Sequence, residues 1–349
     1  MTMPYTRPSP TAGRLRLHLN ENSAGCSQAA LDAVRALSAQ DIACYPDYDD
    51  VIAAVADTLA VPAESVLLTN GLDEAILATT AAAFRRRDGS IPEAVGVSPA
   101  FEMYEIVVDG LGGRMRLLPL DADFGWTASA LAALCNESTR IVFVTNPHNP
   151  SGATVSRARL LDLAARVAPA TLFVDEAYAD FTGETLVDAS LLRSYPHVIV
   201  GRTFSKAYGL AGLRIGALIA APETLAPVRK VVPPFSVNSV AVAALAAALG
   251  DRSHVTSYIE ESRESRRMLA DACARIGLRT HAASANFMLV DAGALAQPLV
   301  NALAARGIIV RDKSTAPGCT GCIRMTAGRI ADTSRLIAAM EDAWRELHG

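Results

Sequence analysis

Five short apolar runs, Val66 to Thr69, Ala94 to Val97, Arg140 to Val144, Thr171 to Val174 and His197 to Val200, recur along the chain with alanine-rich stretches between them. A strand without a polar face must be covered on both sides, so each run reads as a buried strand. Helical patterns alternate with these strands: Gln28 to Leu37, a stretch ending near Leu59, one opening at Leu72, Glu102 to Leu111, Thr127 to Leu134 with Thr127 as cap, and Ser156 to Val167. Strict alternation of this kind predicts a largely parallel sheet with helices on both faces. Leu15 to Leu19, Arg114 to Leu120 and Arg214 to Ala220 read as further strands, and Asp41 to Asp50 as a loop.

The chain of 349 residues is long enough for two subdomains, with 51% hydrophobic residues, 5% aromatic ones and 19% charged ones, as aliphatic strands under alanine-rich helices would give. A net charge of −4 supplies no basic field, which leaves out nucleic acid and points to a small-molecule partner. The segment Met1 to Pro10 holds three prolines and no apolar run, and Val240 to Leu249 is too short to cross a bilayer, so no membrane role and a cytoplasmic location are expected. Six cysteines scattered over the chain do not form a disulfide scaffold. Cys319 and Cys322 have metal or redox spacing without a second pair or a histidine cluster, so no metal is expected.

Chemistry gathers where strands end. Thr203-Phe204-Ser205-Lys206 follows one strand and Arg214 lies eight residues beyond the lysine. A desolvated lysine can attack a carbonyl to form a Schiff base, while two hydroxyls and a guanidinium can collect the oxygens of a phosphate. Together they suggest pyridoxal phosphate. Asn70-Gly71 followed by Leu72-Asp73 is a strand, turn and helix start that offers free backbone N–H groups to an anion. Phe101 stands after another strand, where it can stack on a flat ring or pack in the core. Two Asn-Pro pairs, Asn146-Pro147 and Asn149-Pro150, stiffen the turn around His148, which reads as a turn filler. Asp175 is either a paired carboxylate or the last solvated residue of its strand; beside a pyridine ring it would pair with the ring nitrogen. Tyr178 is placed to donate to a phenolate oxygen. Tyr45, inside a loop, reads as packing or as a site residue.

Asn146 to Gly152, Val174 to Tyr178 and Thr203 to Arg214, in that order and at those separations, resemble the fold-type I aminotransferases that use pyridoxal phosphate. Leu19-Asn20-Glu21-Asn22, Tyr45-Pro46, Gly71-Leu72-Asp73-Glu74, Pro234 to Asn238, Ala285-Asn286-Phe287 and Gly321-Cys322-Ile323-Arg324 are more closely similar to the histidinol-phosphate aminotransferase branch. The resemblance spans essentially the whole chain, and it implies a three-layer α/β/α large domain over residues 39–250 and a smaller α+β domain from residues 1–38 and 251–349. In that smaller unit, helices near Ser253 to Ile276 and Ala331 to Leu347 and strands near Asn286 to Val290 and Ile308 to Arg311 are expected.

The resemblance further implies that Lys206 is the Schiff-base lysine and moves the proton, that Asp175 pairs with the ring nitrogen, and that Asn149 and Tyr178 hold the phenolate oxygen. Phe101 would stack on the ring, although many members carry tyrosine there. Thr203, Ser205, Arg214 and the backbone of Gly71, Leu72 and Asp73 would hold the phosphate, completed by Tyr45 from the second subunit of a homodimer. Arg324 would clamp the substrate α-carboxylate, with Asn149, Arg311, Tyr5 and Asn20 as further substrate contacts. The implied activity is transfer of an amino group from a small-molecule donor to a 2-oxo acid, with histidinol phosphate and 2-oxoglutarate as the leading pair. An aromatic or other amino-acid aminotransferase, a threonine-phosphate type decarboxylase, and a cyclase or racemase would share the frame. A cofactor-sensing regulator is the non-enzymatic alternative.

Overall fold

The computed structural model describes residues 13–85 and 90–348. Strand β1 (Leu15–Arg16) is followed by β2 (Val66–Thr69), β3 (Glu93–Ser98), β4 (Arg114–Pro119), β5 (Thr139–Thr145), β6 (Thr171–Asp175), β7 (Val198–Thr203) and β8 (Gly216–Ile219). Strands β2 to β8 form one seven-stranded sheet in the order β2-β8-β7-β6-β5-β3-β4, and only β8 runs against its neighbours.

Both faces of that sheet are covered, as the apolar runs require. Val142, Val144, Leu172, Val174, Val198 and Val200 face one way, against Leu160 and Leu163 of helix Arg157–Val167 and Ala244 and Leu245 of helix Ser239–Gly250. Ile141, Phe143, Phe173 and Ile199 face the other way, against Ile76 of helix Gly71–Ala83 and Val107 of helix Met103–Gly110. Successive strand residues point to opposite faces, so one run of five supplies both cores. The three-layer α/β/α arrangement follows.

A second sheet comprises β9 (Arg279–Thr280), β10 (Phe287–Asp291), β12 (Arg311–Asp312) and β13 (Cys322–Thr326), antiparallel in the order β12-β13-β10-β9, while β11 (Ile308–Ile309) pairs in parallel with β1. Met288, Val290, Ile323 and Met325 pack there with Leu269, Leu299 and Leu336 from helices Arg252–Arg275, Ala296–Ala305 and Ile330–His348. The single strand expected over Ile308 to Arg311 is thus two strands in two sheets. The loop expected over Asp41 to Asp50 holds a short helix, Ala39–Ala43, closed by a reciprocal Ser38 and Asp41 capping box. No helix among the described residues is long and apolar enough to cross a membrane.

The turn after β6 is pinned from below by charge. Glu176, 1% exposed, accepts from the backbone N–H of Leu186, the Thr185 hydroxyl and Arg202 Nη1 at 3.0 Å, and Arg202 Nη2 reaches Asp180 at 2.6 Å. Removing one member of a buried, hydrogen-bonded ion network strands its partners. Glu176→Ala is expected to cost about 3–5 kcal/mol, read as a lower thermal unfolding midpoint, with part of the loss recovered when Arg202→Met is added.

Candidate active site

The parallel strands put their carboxyl ends on one edge, and the loops leaving that edge carry the reactive side chains. Asn70 and Gly71 follow β2, Phe101 follows β3, Asn149 follows β5, Asp175 ends β6, and Lys206 follows β7. Arg214 enters the same edge just before the reversed strand β8. They enclose a cavity of about 380 Å³ lined by Leu72, Asp73, Phe101, Asn149, Asp175, Tyr178, Thr203, Ser205, Lys206 and Arg214, with Arg311, Lys313 and Arg324 entering from the second sheet.

Asp175 is 3% exposed. Burial pushes its carboxyl up to about 6, held back by the Tyr104 hydroxyl donating to Oδ2 at 2.7 Å and the Ala177 N–H donating to Oδ1 at 2.9 Å. Tyr104 is itself buried, stacked on Phe143 with centroids 4.7 Å apart, and its oxygen lies 2.8 Å from Thr145 Oγ1. The sequence did not single Tyr104 out. Its position three residues after Phe101, in the first turn of the helix that begins at Met103, was the available signal.

Two side chains are set up as donors by what they accept. Arg324 Nη1 donates to Asn149 Oδ1 at 2.6 Å, which fixes the amide and turns its NH₂ toward other acceptors. Asn20 Nδ2 donates to the Tyr178 oxygen at 3.0 Å, which directs the phenol's own proton elsewhere. Lys206 Nζ donates to the Leu19 carbonyl at 2.9 Å and sits 5.9 Å from the centre of the Tyr178 ring.

At the other end, the helix beginning at Gly71 presents its first N–H groups beside Arg214, whose Nη2 lies 2.9 Å from Asp73 Oδ2. Gly71 has φ +77°, and a Cβ there would come within 2.7 Å of Arg214 Nη2, so the guanidinium occupies room that only glycine leaves. An N-terminal helix end, an arginine and the hydroxylated residues Thr203 and Ser205 make a cup for a phosphate. With an acidic partner for a ring nitrogen, two donors for an anionic oxygen, an aromatic ring and an amine, the set fits pyridoxal phosphate.

Tyr45, expected to serve the second subunit's cup rather than this chain's own, is 79% exposed and stacks on Phe235 at 4.3 Å, outside the cavity. Asn20, expected to touch substrate, is 1% exposed and lies behind Tyr178, tied to Thr326 and Asn286. Tyr5 lies outside the described residues. Cys319 and Cys322 are buried free thiols in an apolar cluster with Phe124 and Leu289.

His148 is more than a turn filler. It is 5% exposed, with Nε2 2.8 Å from the Pro99 carbonyl and Nδ1 2.8 Å from Ser151 Oγ. A carbonyl only accepts, so Nε2 carries the proton and Nδ1 accepts from the serine. The ring thereby ties the loop bearing Phe101 to the loop bearing Asn149. Asn146 closes the latter loop through a pair of bonds to the Val155 backbone.

The chain belongs to the class I and II aminotransferases: the model of that family, aminotransferase class I and II, matches residues 13–340. It is 37% identical to histidinol-phosphate aminotransferase 1 of Cupriavidus pinatubonensis, over 95% of this chain and 89% of that protein. With the histidinol-phosphate aminotransferase of Symbiobacterium thermophilum the identity is 35%, over 95% and 91%. The crystal structure of histidinol-phosphate aminotransferase from Sinorhizobium meliloti in complex with pyridoxal-5'-phosphate superposes with a TM-score of 0.86 at 28% identity, covering 96% of this chain and 91% of that one.

Two outcomes test this geometry. Burial lowers the His148 pKa from 6.5 to about 4, so its contribution to stability is present above pH 6.5 and is lost as pH falls toward 4. Over that window the wild type should lose on the order of 3 kcal/mol relative to His148→Gln, measured by denaturant unfolding at each pH. Tyr104→Phe removes a donor to the Asp175 carboxylate and so raises its pKa further; the acid limb of the activity profile should move to higher pH, with activity at pH 7 down about tenfold.

Proposed function

We propose that the chain is a pyridoxal-phosphate-dependent histidinol-phosphate aminotransferase that passes the amino group to 2-oxoglutarate. The observation that carries the reading is the convergence, on one cavity, of the Lys206 amine, the Asp175 carboxylate and the Arg214 cup, with Arg311 and Arg324 at the opposite side.

Bound pyridoxal phosphate supplies an electron sink for the bond electrons released when a proton leaves the substrate carbon bearing the amine. Lys206 Nζ is the group that takes that proton and returns it, since it is the amine among the cavity-lining side chains that is bonded to a carbonyl rather than paired with a carboxylate. Asp175, held by Tyr104 and Ala177, accepts from the protonated ring nitrogen. Asn149 and Tyr178 donate to the ring's phenolate oxygen, because their other capacities are already taken by Arg324 and Asn20. Phe101 covers the ring face, and Thr203, Ser205, Arg214 and the N–H groups at Gly71 to Asp73 hold the phosphate.

Arg324 holds the substrate's anion. In glutamate that anion is the α-carboxylate; in histidinol phosphate a phosphomonoester occupies the arm next to the amine-bearing carbon. A phosphate is bulkier, longer and doubly charged, and Arg311, paired with Arg324 across β12 and β13, extends the cationic surface in that direction.

The reading includes a homodimer in which Tyr45 completes the partner's phosphate cup. Its support is an exposed apolar patch in which Tyr45 and Phe235 are 79% and 50% exposed and Ile42 is 66% exposed. It also includes the division into residues 39–250 and residues 1–38 with 251–349, closure of one on the other, and a cytoplasmic location. The mechanism predicts that Lys206→Ala lowers turnover of histidinol phosphate with 2-oxoglutarate at least about a hundredfold, and removes the visible absorption that loaded wild-type protein shows. Wild-type turnover of phenylalanine but not of histidinol phosphate would assign the chain to a different donor.

A further inference from the structure

Glu102 has no part in the reading above, yet it lines the same cavity. It precedes helix Met103–Gly110 above the large sheet, and its carboxylate reaches across to the second sheet. Oε1 is 3.0 Å from Lys313 Nζ, and Oε2 is 3.8 Å from Arg311 Nη2. Lys313 is 8% exposed, and Arg311 lies opposite Arg324 in the β12–β13 pair. Three cations therefore face the substrate's anion from one side, and an acid of this chain stands among them.

We propose that Glu102 is a specificity-determining residue, a fixed counter-anion that trims the pull of Arg311, Lys313 and Arg324 on the anionic group of the substrate. The inference deepens the preceding reading and rests on it for the phosphomonoester. Coulombic attraction scales with the charge on the ligand, so the three cations favour a dianion over a monoanion, and either over a neutral donor. Left uncompensated in a partly buried cavity, the same cations would hold a phosphate so tightly that its release would limit turnover. The Glu102 carboxylate offsets one unit of that positive charge, which keeps the order of preference and weakens the grip. Glu102 is charged at neutral pH: burial pushes its carboxyl up, but the Lys313 ammonium, with Arg311 and Arg324 behind it, more than offsets that and leaves it below the usual range. The Lys313 ammonium is pushed down by burial first and by Arg324 next, with Glu102 opposing, so the acid also helps keep that lysine protonated.

The test uses holoenzyme loaded with pyridoxal phosphate and inorganic phosphate as probe, with binding measured by titration calorimetry at pH 7 and low salt. Glu102→Gln keeps the shape and removes the charge, and should tighten phosphate binding about five- to tenfold. In steady state, the KM for histidinol phosphate should fall with it, while the KM for histidinol, which has no anion, should stay within about twofold. Lys313→Met should weaken phosphate binding in the same assay. Phosphate binding unchanged or weakened in Glu102→Gln would overturn the proposal, as would an equal KM change for histidinol or no loss in Lys313→Met. Because the calorimetric arm needs no turnover, a chain that binds phosphate as described but does not transaminate histidinol phosphate would fail the functional reading alone.

Discussion

An ionisable carboxylate kept inside the protein, Asp175, is the constraint on which the rest of the site depends. Burial pushes its pKa up to about 6, toward the protonated form, in which it could no longer pair as an anion with a cationic group. The Tyr104 hydroxyl and the Ala177 N–H work against that burial. Tyr104 can do so only because it stacks on Phe143 inside the core and has Thr145 beside its oxygen. Packing on one face of the large sheet therefore reaches directly into the acid–base state of the site, and the Glu176–Arg202–Asp180 network fixes the backbone just beyond it.

Hydrogen bonds at the cavity wall do a second job, which is to decide who donates. Asn149 and Tyr178 are amphoteric groups that become donors to the cavity once Arg324 and Asn20 have claimed the opposite capacity. The segment from Leu17 to Asn22 is central to this. It supplies the Leu19 carbonyl to Lys206, the His18 carbonyl to Arg324 at 2.8 Å and the Asn20 amide to Tyr178, and it is anchored by Asn286, just before β10, and by Thr326 at the end of β13. One strap thus sets Lys206, Tyr178 and Arg324 together.

Charge around the cavity is distributed rather than concentrated. Asp73 answers Arg214, Glu102 answers Lys313 and Arg311, and Glu21 answers Arg16, while Lys206 and Arg324 donate to neutral oxygens. In a partly desolvated site each pairing sets how strongly an incoming anion is drawn. Lys206 is held by the Leu19 carbonyl, and Arg324 is held by the Asn149 side chain and the His18 carbonyl.

Element type was legible in the chain because helix and strand periods depend on near neighbours: the apolar runs became β2, β3, β5, β6 and β7, and their carboxyl ends carry the residues expected there. Even the helix at Ala39–Ala43 had a local sign, Ser38 followed three residues later by Asp41, hidden by a polar and loop-like composition. Ile308 to Arg311 was different, since an apolar run carries no mark of which sheet edge each of its residues will join. His148 meeting Pro99, Asn20 standing behind Tyr178 and Glu102 meeting Lys313 across 211 residues were likewise decided by the tertiary structure alone. By itself the sequence determined the five buried strands and the order in which Phe101, Asn149, Asp175, Lys206 and Arg214 follow them. Only the folded chain decided their partners, because a hydrogen bond or ion pair between distant segments depends on where two sheets bring them, which no local pattern encodes.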